Sequence, residues 1–297
     1  MRIVDMHTGG LGARIASAAG VRLLPLEQRR FPDGESYLRL LEDPRGAQVW
    51  IVADLMPPDA RLLGVLLLAA TLREQGAASV GLVAPYLPYM RQDMAFHPGE
   101  CVSARHMAAL ISAGVDALVT VDSHLHRISS LEDVFAIPAR NLCAASLLAE
   151  TVGAELAKPL LVGPDAESAQ WVSAAAERLG CPWTVLHKER SGDRAVQVSG
   201  SFEAAWHSLE PVLLDDVLST GGTLVEACRL LARSGMRAPR VAVVHAIFAE
   251  DAERRLLDAG VGAILSSDSL PHPSNRVGLA PLLAAALLEC GAPQKTA

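Results

Sequence analysis

The stretch VLLDDVLSTGGTLVEA, residues 212–227, opens as a short apolar run and halts at two adjacent carboxylates, Asp215 and Asp216. A glycine-rich turn from Ser219 to Thr223 follows, and then a helical pattern begins. A strand apolar on both faces belongs in a parallel sheet covered by helices on both sides. In such sheets ligands sit beyond the carboxyl ends of the strands, which is where the two aspartates fall. Gly221 and Gly222 let the backbone turn its N–H groups inward, and Thr220 and Thr223 add hydroxyl donors. The helix starting near Thr223 contributes the positive end of its dipole. The arrangement makes a nest for a monophosphate, with Asp215 and Asp216 placed to accept hydrogen bonds from sugar hydroxyls beyond it. The plainer alternative is a strand-to-helix turn with glycine for geometry and Thr223 as the N-cap.

The same alternation runs through the chain. Short runs rich in valine and leucine at residues 49–55, 79–87, 116–124, 159–165, 211–217 and 240–248 read as buried strands. Helical stretches separate them, among them 167–180, which ends on a glycine suited to a C-terminal cap. The pattern is α/β, with mainly parallel sheets flanked by helices. Residues 49–86 also align in type with residues 212–248: strand, acidic end, loop, helix, strand. The second copy has STGGT in its loop and the first has MPPDA, where prolines remove the N–H groups that a phosphate cradle needs. Two similar domains are therefore expected, 1–145 and 146–297, with only the second keeping this site. Chance likeness between any two α/β units is the competing explanation.

Composition narrows the class. The chain has 297 residues, 51% hydrophobic and 20% charged, which allows a sizeable core and argues against disorder. A formal net charge of -7 disfavours a general nucleic-acid or membrane-surface binder. The apolar runs are too short to span a bilayer, and no secretory signal core follows Met1, so a cytoplasmic location is expected. Five scattered cysteines without a CxxC pair point to neither a disulfide framework nor a zinc site.

No lysine follows a GxxxxG run, so a Walker A loop is absent and a nucleotide must be held in another way. Lys188 and Arg190 stand in the polar stretch HKERSGDRAV, residues 187–196, which reads as a loop. A point charge beside a forked donor suits an anionic transition state, although an ordinary solvated turn has the same composition.

These pieces occur in the order found in the ribose-phosphate diphosphokinases, the synthetases of phosphoribosyl diphosphate, which have two type I phosphoribosyltransferase-like domains. FPDGE (31–35) resembles that family's adenine motif, and PYMRQD (88–93) its ATP-contacting flag region. VDSH (121–124) resembles its metal and ATP site, GPD (163–165) its pyrophosphate loop, KER (188–190) its catalytic loop, and DDVLSTGGT (215–223) its ribose-5-phosphate site. The resemblance spans nearly the whole chain. It implies that the 1-hydroxyl of ribose 5-phosphate attacks the β-phosphorus of ATP, releasing AMP. Phe31, Asp33 and Glu35, reaching from a neighbouring subunit, and Arg91, Gln92 and Asp93 would bind ATP. Asp165, Asp215, Asp216, Ser219, Thr220, Gly221, Gly222 and Thr223 would bind ribose 5-phosphate. Lys188 and Arg190 would be catalytic, and His124 and Asp165 would meet Mg2+. A homo-oligomer, dimer or hexamer, is implied.

Two departures accompany the resemblance. Glu167 and Ser168 stand where the family often has glycines, so Glu167 either faces away at a helix start or adds a magnesium contact. Ser219 stands where many members have an acidic residue. A non-catalytic ligand-binding regulator and a phosphoribosyltransferase using a nucleobase are the rival functions, because the fold alone does not choose among them.

Overall fold

The structure, a computed structural model, describes residues 1–125, 127–191, 195–200 and 202–290; of residues 188–191 and 195–197 it describes the backbone alone. The chain divides into two compact units, Met1–Leu142 with the segment from Leu279 onward, and Cys143–Gly278.

In the first unit the elements run β1 (Arg2–Asp5), α1 (Leu11–Ala19), β2 (Arg22–Leu23), β3 (Leu26–Arg30), β4 (Ser36–Leu40), β5 (Gln48–Val52), α2 (Pro58–Glu74), β6 (Ser79–Val83), α3 (Ser103–Gly114), β7 (Ala117–Val121) and β8 (Ala139–Leu142). Among the described residues, six of these strands form a sheet in the order β2-β1-β5-β6-β7-β8, and every pairing is parallel. β3 and β4 form a separate antiparallel hairpin. The central strands are buried throughout, as continuous apolar runs require. Trp50 of β5 is fully buried, and Gly81 of β6 makes room for it: a Cβ there would lie 2.4 Å from the indole. On α2 the residues Leu62, Val65, Leu68, Ala69 and Leu72 recur at helical spacing and face the core.

The second unit repeats this plan. Its elements are α4 (Ala145–Gly153), β9 (Pro159–Gly163), α5 (Ala169–Leu179), β10 (Trp183–Val185), β11 (His187–Ser191), β12 (Ala195–Ser199), β13 (Glu210–Leu218), α6 (Gly222–Arg233), β14 (Arg240–Ala246), α7 (Ala252–Asp258), β15 (Ala263–Ser267) and β16 (Asn275–Val277). Its sheet order, β10-β9-β13-β14-β15-β16, matches that of the first unit position by position, again all parallel. An antiparallel hairpin, β11–β12, follows the second strand, as β3–β4 does in the first unit. The stretches aligned by sequence, β5-α2-β6 and β13-α6-β14, occupy equivalent places. Gly180 caps α5 with φ 64°, as its place at the end of the helical stretch suggested.

The C-terminal helix, α8 (Ala280–Cys290), packs on α1 of the first unit, while α4 packs on α5 of the second. Arg140 donates to the Ala286 carbonyl at 3.2 Å and pairs with Glu289 at 2.9 Å. A division into 1–145 and 146–297 does not include this return of the chain. The reason is physical: α8 is apolar on nearly every side, so its sequence demands burial without saying against which sheet.

Candidate active site

In the second unit the site assembles at the carboxyl ends of β9 and β13, which are neighbours in the sheet. β9 ends at Gly163, where a Cβ would lie 2.1 Å from Ser168 Oγ and 2.9 Å from Val185 Cγ1, so only glycine fits. Asp165 then caps a short turn of 3₁₀ helix: its Oδ1 accepts from the Glu167 amide at 3.2 Å, and its carbonyl accepts from Ser168 Oγ at 2.6 Å. Glu167 is exposed in that first turn, where a carboxylate favours the helix dipole.

β13 delivers Asp215 and Asp216 side by side, with the Asp216 amide donating to Asp215 Oδ1 at 3.0 Å. Burial holds the Asp215 carboxyl well above the usual carboxylate range, and the neighbouring Asp216 and Asp165 charges push it the same way. Asp216 and Asp165 thus both act electrostatically on Asp215, an arrangement suited to hydroxyl groups or a metal ion. Among the described residues no three acidic, histidine or cysteine side chains gather closely enough to ligate a metal alone. That is compatible with magnesium, which takes few protein ligands and keeps several waters.

The glycine turn is held from outside. The Ser219 carbonyl accepts from the Ala249 amide at 3.1 Å, and the Thr220 carbonyl accepts from Arg255 at 3.2 Å. Gly221 is left-handed, φ 71°, and precedes α6 as its N-cap. As a glycine, the N-cap has no side chain to bond the leading N–H groups of α6, which suits them to a ligand. A Cβ on Gly222 would meet nothing within 4 Å. Helix α6 begins at Gly222, one residue before the start expected near Thr223, and its N-cap is Gly221 instead of the Thr223 of the plainer alternative.

In the first unit the prolines do what the sequence suggested. Pro57 is the N-cap of α2 and Pro58 its first residue. Close by, Asp54 pairs with Arg61 and accepts from Thr8 Oγ1 at 2.5 Å.

The residues of the nucleotide motifs lie in three segments of the first unit. FPDGE forms the β3–β4 turn: the Phe31 amide donates to the Glu35 carbonyl at 2.9 Å, and the Glu35 amide to Asp33 Oδ1 at 3.1 Å. The Phe31 ring is 39% exposed, with the Arg29 guanidinium 4.5 Å from its centroid. Arg91, Gln92 and Asp93 follow β6, and His124 follows β7, its neighbour in the sheet. Asp93, its side chain 3% exposed, binds Arg127 at 3.0 Å and joins the two loops. Arg127 was not singled out from sequence; the signal available was a cation close behind the VDSH motif. Tyr89 (φ 67°) and Asp122 (φ 36°) hold unusual backbone conformations in these two loops, a form of strain concentrated at functional sites. The hairpin connects the edge strand β2 to β5, and Arg30 beside its turn donates to the Ala60 carbonyl of α2 at 2.8 Å. Lys188 and Arg190 lie on the backbone of β11, and their side chains fall outside the described residues.

Two parallel α/β units, each with a hairpin after its second strand, and a carboxylate-and-amide nest in one of them, define a duplicated phosphoribosyltransferase-like protein. Family comparison agrees. Residues 2–114 match the N-terminal domain of ribose phosphate pyrophosphokinase, and residues 130–267 match the phosphoribosyl transferase domain. A ribose-phosphate pyrophosphokinase of Methanosarcina acetivorans is 37% identical, covering 93% of this chain and 95% of that protein. One of Methanopyrus kandleri is 35% identical, covering 93% and 94%. The crystal structure of phosphoribosylpyrophosphate synthetase from Mycobacterium smegmatis superposes with a TM-score of 0.82 at 27% identity, over 98% of this chain and 99% of that one. The chain belongs to the ribose-phosphate pyrophosphokinase family.

Proposed function

We propose that this chain performs the reaction for which its relatives are named, moving the diphosphoryl group of ATP to the 1-hydroxyl of ribose 5-phosphate. The hydroxyl oxygen bonds to the β-phosphorus while the bond from that phosphorus to the oxygen bridging the α-phosphate breaks. The products are phosphoribosyl diphosphate and AMP. The observation that supports this most is the succession of Asp215 and Asp216 on β13 by the glycine-led start of α6. It offers acceptors for vicinal hydroxyls beside donors for a phosphate.

In this reading the nest at Ser219, Thr220, Gly221, Gly222 and Thr223 holds the 5-phosphate, and Asp165, Asp215 and Asp216 orient the ribose. Phosphoryl-group transfer needs positioning and charge neutralisation more than covalent help. Lys188 and Arg190 would stabilise the charge of the group in transit. Arg91, Gln92 and Asp93 would hold the nucleotide, with Phe31, Asp33 and Glu35 serving the adenine of a neighbouring subunit. The exposure of Phe31, 39%, supports that crossing. His124 and Asp165 are the residues that would meet Mg2+, which when bound supplies neutralisation of phosphate oxygens. The protein would work as a dimer or hexamer, in the cytoplasm, on small molecules. Among the described residues no helix is long and apolar enough to cross a membrane.

The test is product analysis. Purified protein with magnesium, ATP labelled at its β-phosphorus and ribose 5-phosphate should give AMP and labelled phosphoribosyl diphosphate in equal amounts. ADP in place of AMP would refute diphosphoryl transfer. No turnover under varied metal and phosphate would favour a regulator, and consumption of a nucleobase without ATP a phosphoribosyltransferase.

A further inference from the structure

The first unit holds a cavity of about 190 Å³ that the proposed reaction leaves unused. It lies between the β3–β4 hairpin and the first turns of α2, lined by Arg29, Arg30, Arg61, Ser36, Met6 and Gly64 among others. Its three guanidinium groups are permanently charged. One acid answers them: Asp54, whose side chain is 4% exposed and already pairs with Arg61. Among the described residues no carboxylate pairs with Arg29 or Arg30. Arg30 donates only to carbonyls, those of Gly34 at 2.7 Å and Ala60 at 2.8 Å. The Arg29 guanidinium is held by aromatic faces, 4.5 Å from the Phe31 centroid and 4.1 Å from that of Tyr37. Burial and, after it, the nearby Arg30 draw the Arg61 pKa down.

The position in the fold indicates what the charge is for. β3–β4 and β11–β12 are equivalent hairpins, and Leu26 follows Arg22 at the same interval as His187 follows Trp183. Arg29 therefore occupies the register place of Arg190. The start of α2 likewise occupies the place of the start of α6. The cavity is thus the first unit's counterpart of the glycine-led nest. Prolines have taken away its backbone donors, and guanidinium groups stand where donors are needed.

We propose that this cavity binds the free phosphate dianion. Forked guanidinium donors bind phosphate bidentately, as they do carboxylate, and a dianion can answer more than one of these charges. The volume suits phosphate with a few waters at about 30 Å³ each, and falls short of the roughly 300–1,000 Å³ that larger organic ligands occupy.

Calorimetric titration with inorganic phosphate tests this in full-length protein carrying Gly222→Val, which blocks the nest in the second unit. One phosphate per chain should still bind. Adding Arg29→Gln and Arg30→Gln should weaken it at least about tenfold, the loss expected for two charge-assisted contacts. If the Gly222→Val protein takes up no phosphate, or if affinity survives removal of both arginines, the proposal is wrong. Crystals of the unaltered chain soaked in tungstate give a readout independent of variant folding and of where ribose 5-phosphate binds. An anomalous peak among Arg29, Arg30 and Arg61 is expected. A cavity without that peak, or one filled by a carboxylate from a second copy, overturns the assignment.

Discussion

Asp93 and Arg127 form an ion pair at 3.0 Å, and the same carboxylate accepts from the Arg127 amide at 3.3 Å. The pair ties the loop after β6 to the loop after β7. The Asp93 side chain is 3% exposed, so its charge is withdrawn from water and depends on that partner. Arg127→Ala should therefore loosen the loop bearing Arg91 and Gln92. We expect the KM for ATP to rise at least about tenfold, roughly 1.4 kcal/mol, with the KM for ribose 5-phosphate unchanged. Steady-state kinetics with each substrate varied in turn decides this. Equal effects on both constants would mean that the pair serves general stability.

Gly222→Val separates folding from binding. The new side chain points into open space, and the residue is the first of α6 without a positive φ. Thermal stability should stay within about 0.5 kcal/mol, as for an unremarkable surface change. The KM for ribose 5-phosphate should nevertheless rise at least about tenfold, because the valine takes the space through which the 5-phosphate approaches the amides. An unchanged KM would place the phosphate elsewhere.

Much of this arrangement is legible in the chain, for reasons that differ by element. β13 and the turn after it are written plainly, because a strand buried on both faces must be apolar and a phosphate nest must be small and rich in donors. The prolines at 57 and 58 announce the lost nest of the first unit equally well. Hairpin β3–β4 is harder to see. Strand β3, LEQRR, is largely exposed and charged and lacks the alternation that marks a half-buried strand, and β4, SYLRL, has only Leu38 and Leu40 to show it. β2 and β16 are too short to show any period. The Asp93–Arg127 pair joins residues far apart in sequence, and only the adjacency of β6 and β7 makes them neighbours.

Cysteine chemistry offers a check on the packing. Burial pushes the Cys228 thiol up to about 12, so almost none of it is thiolate at pH 8. Cys101 and Cys143 are exposed. A raised pKa means less nucleophile at any pH below it, so iodoacetamide at pH 8 should label Cys101 and Cys143 and spare Cys228 until denaturant is added. Peptide mass mapping reads this directly. Labelling of Cys228 in the folded protein at a rate like that of Cys101 would contradict the burial of α6.

Gly163 connects the sheet to the chemistry. A Cβ there would collide with Ser168 Oγ at 2.1 Å, and that hydroxyl holds the Asp165 carbonyl at 2.6 Å. Gly163→Ala must displace Ser168 and with it the turn that aims Asp165 toward Asp215. We expect a loss of about 1–3 kcal/mol in stability, the usual cost of overpacking, and a fall in kcat for diphosphoryl transfer. The double variant Gly163→Ala/Ser168→Gly removes the colliding hydroxyl and should recover part of the stability. Recovery stays partial because Val185 Cγ1 remains 2.9 Å from the new methyl and the bond to Asp165 is gone. A double-mutant cycle on melting temperature and kcat measures the coupling between the two positions. Strict additivity would show that Ser168 is not what Gly163 makes room for.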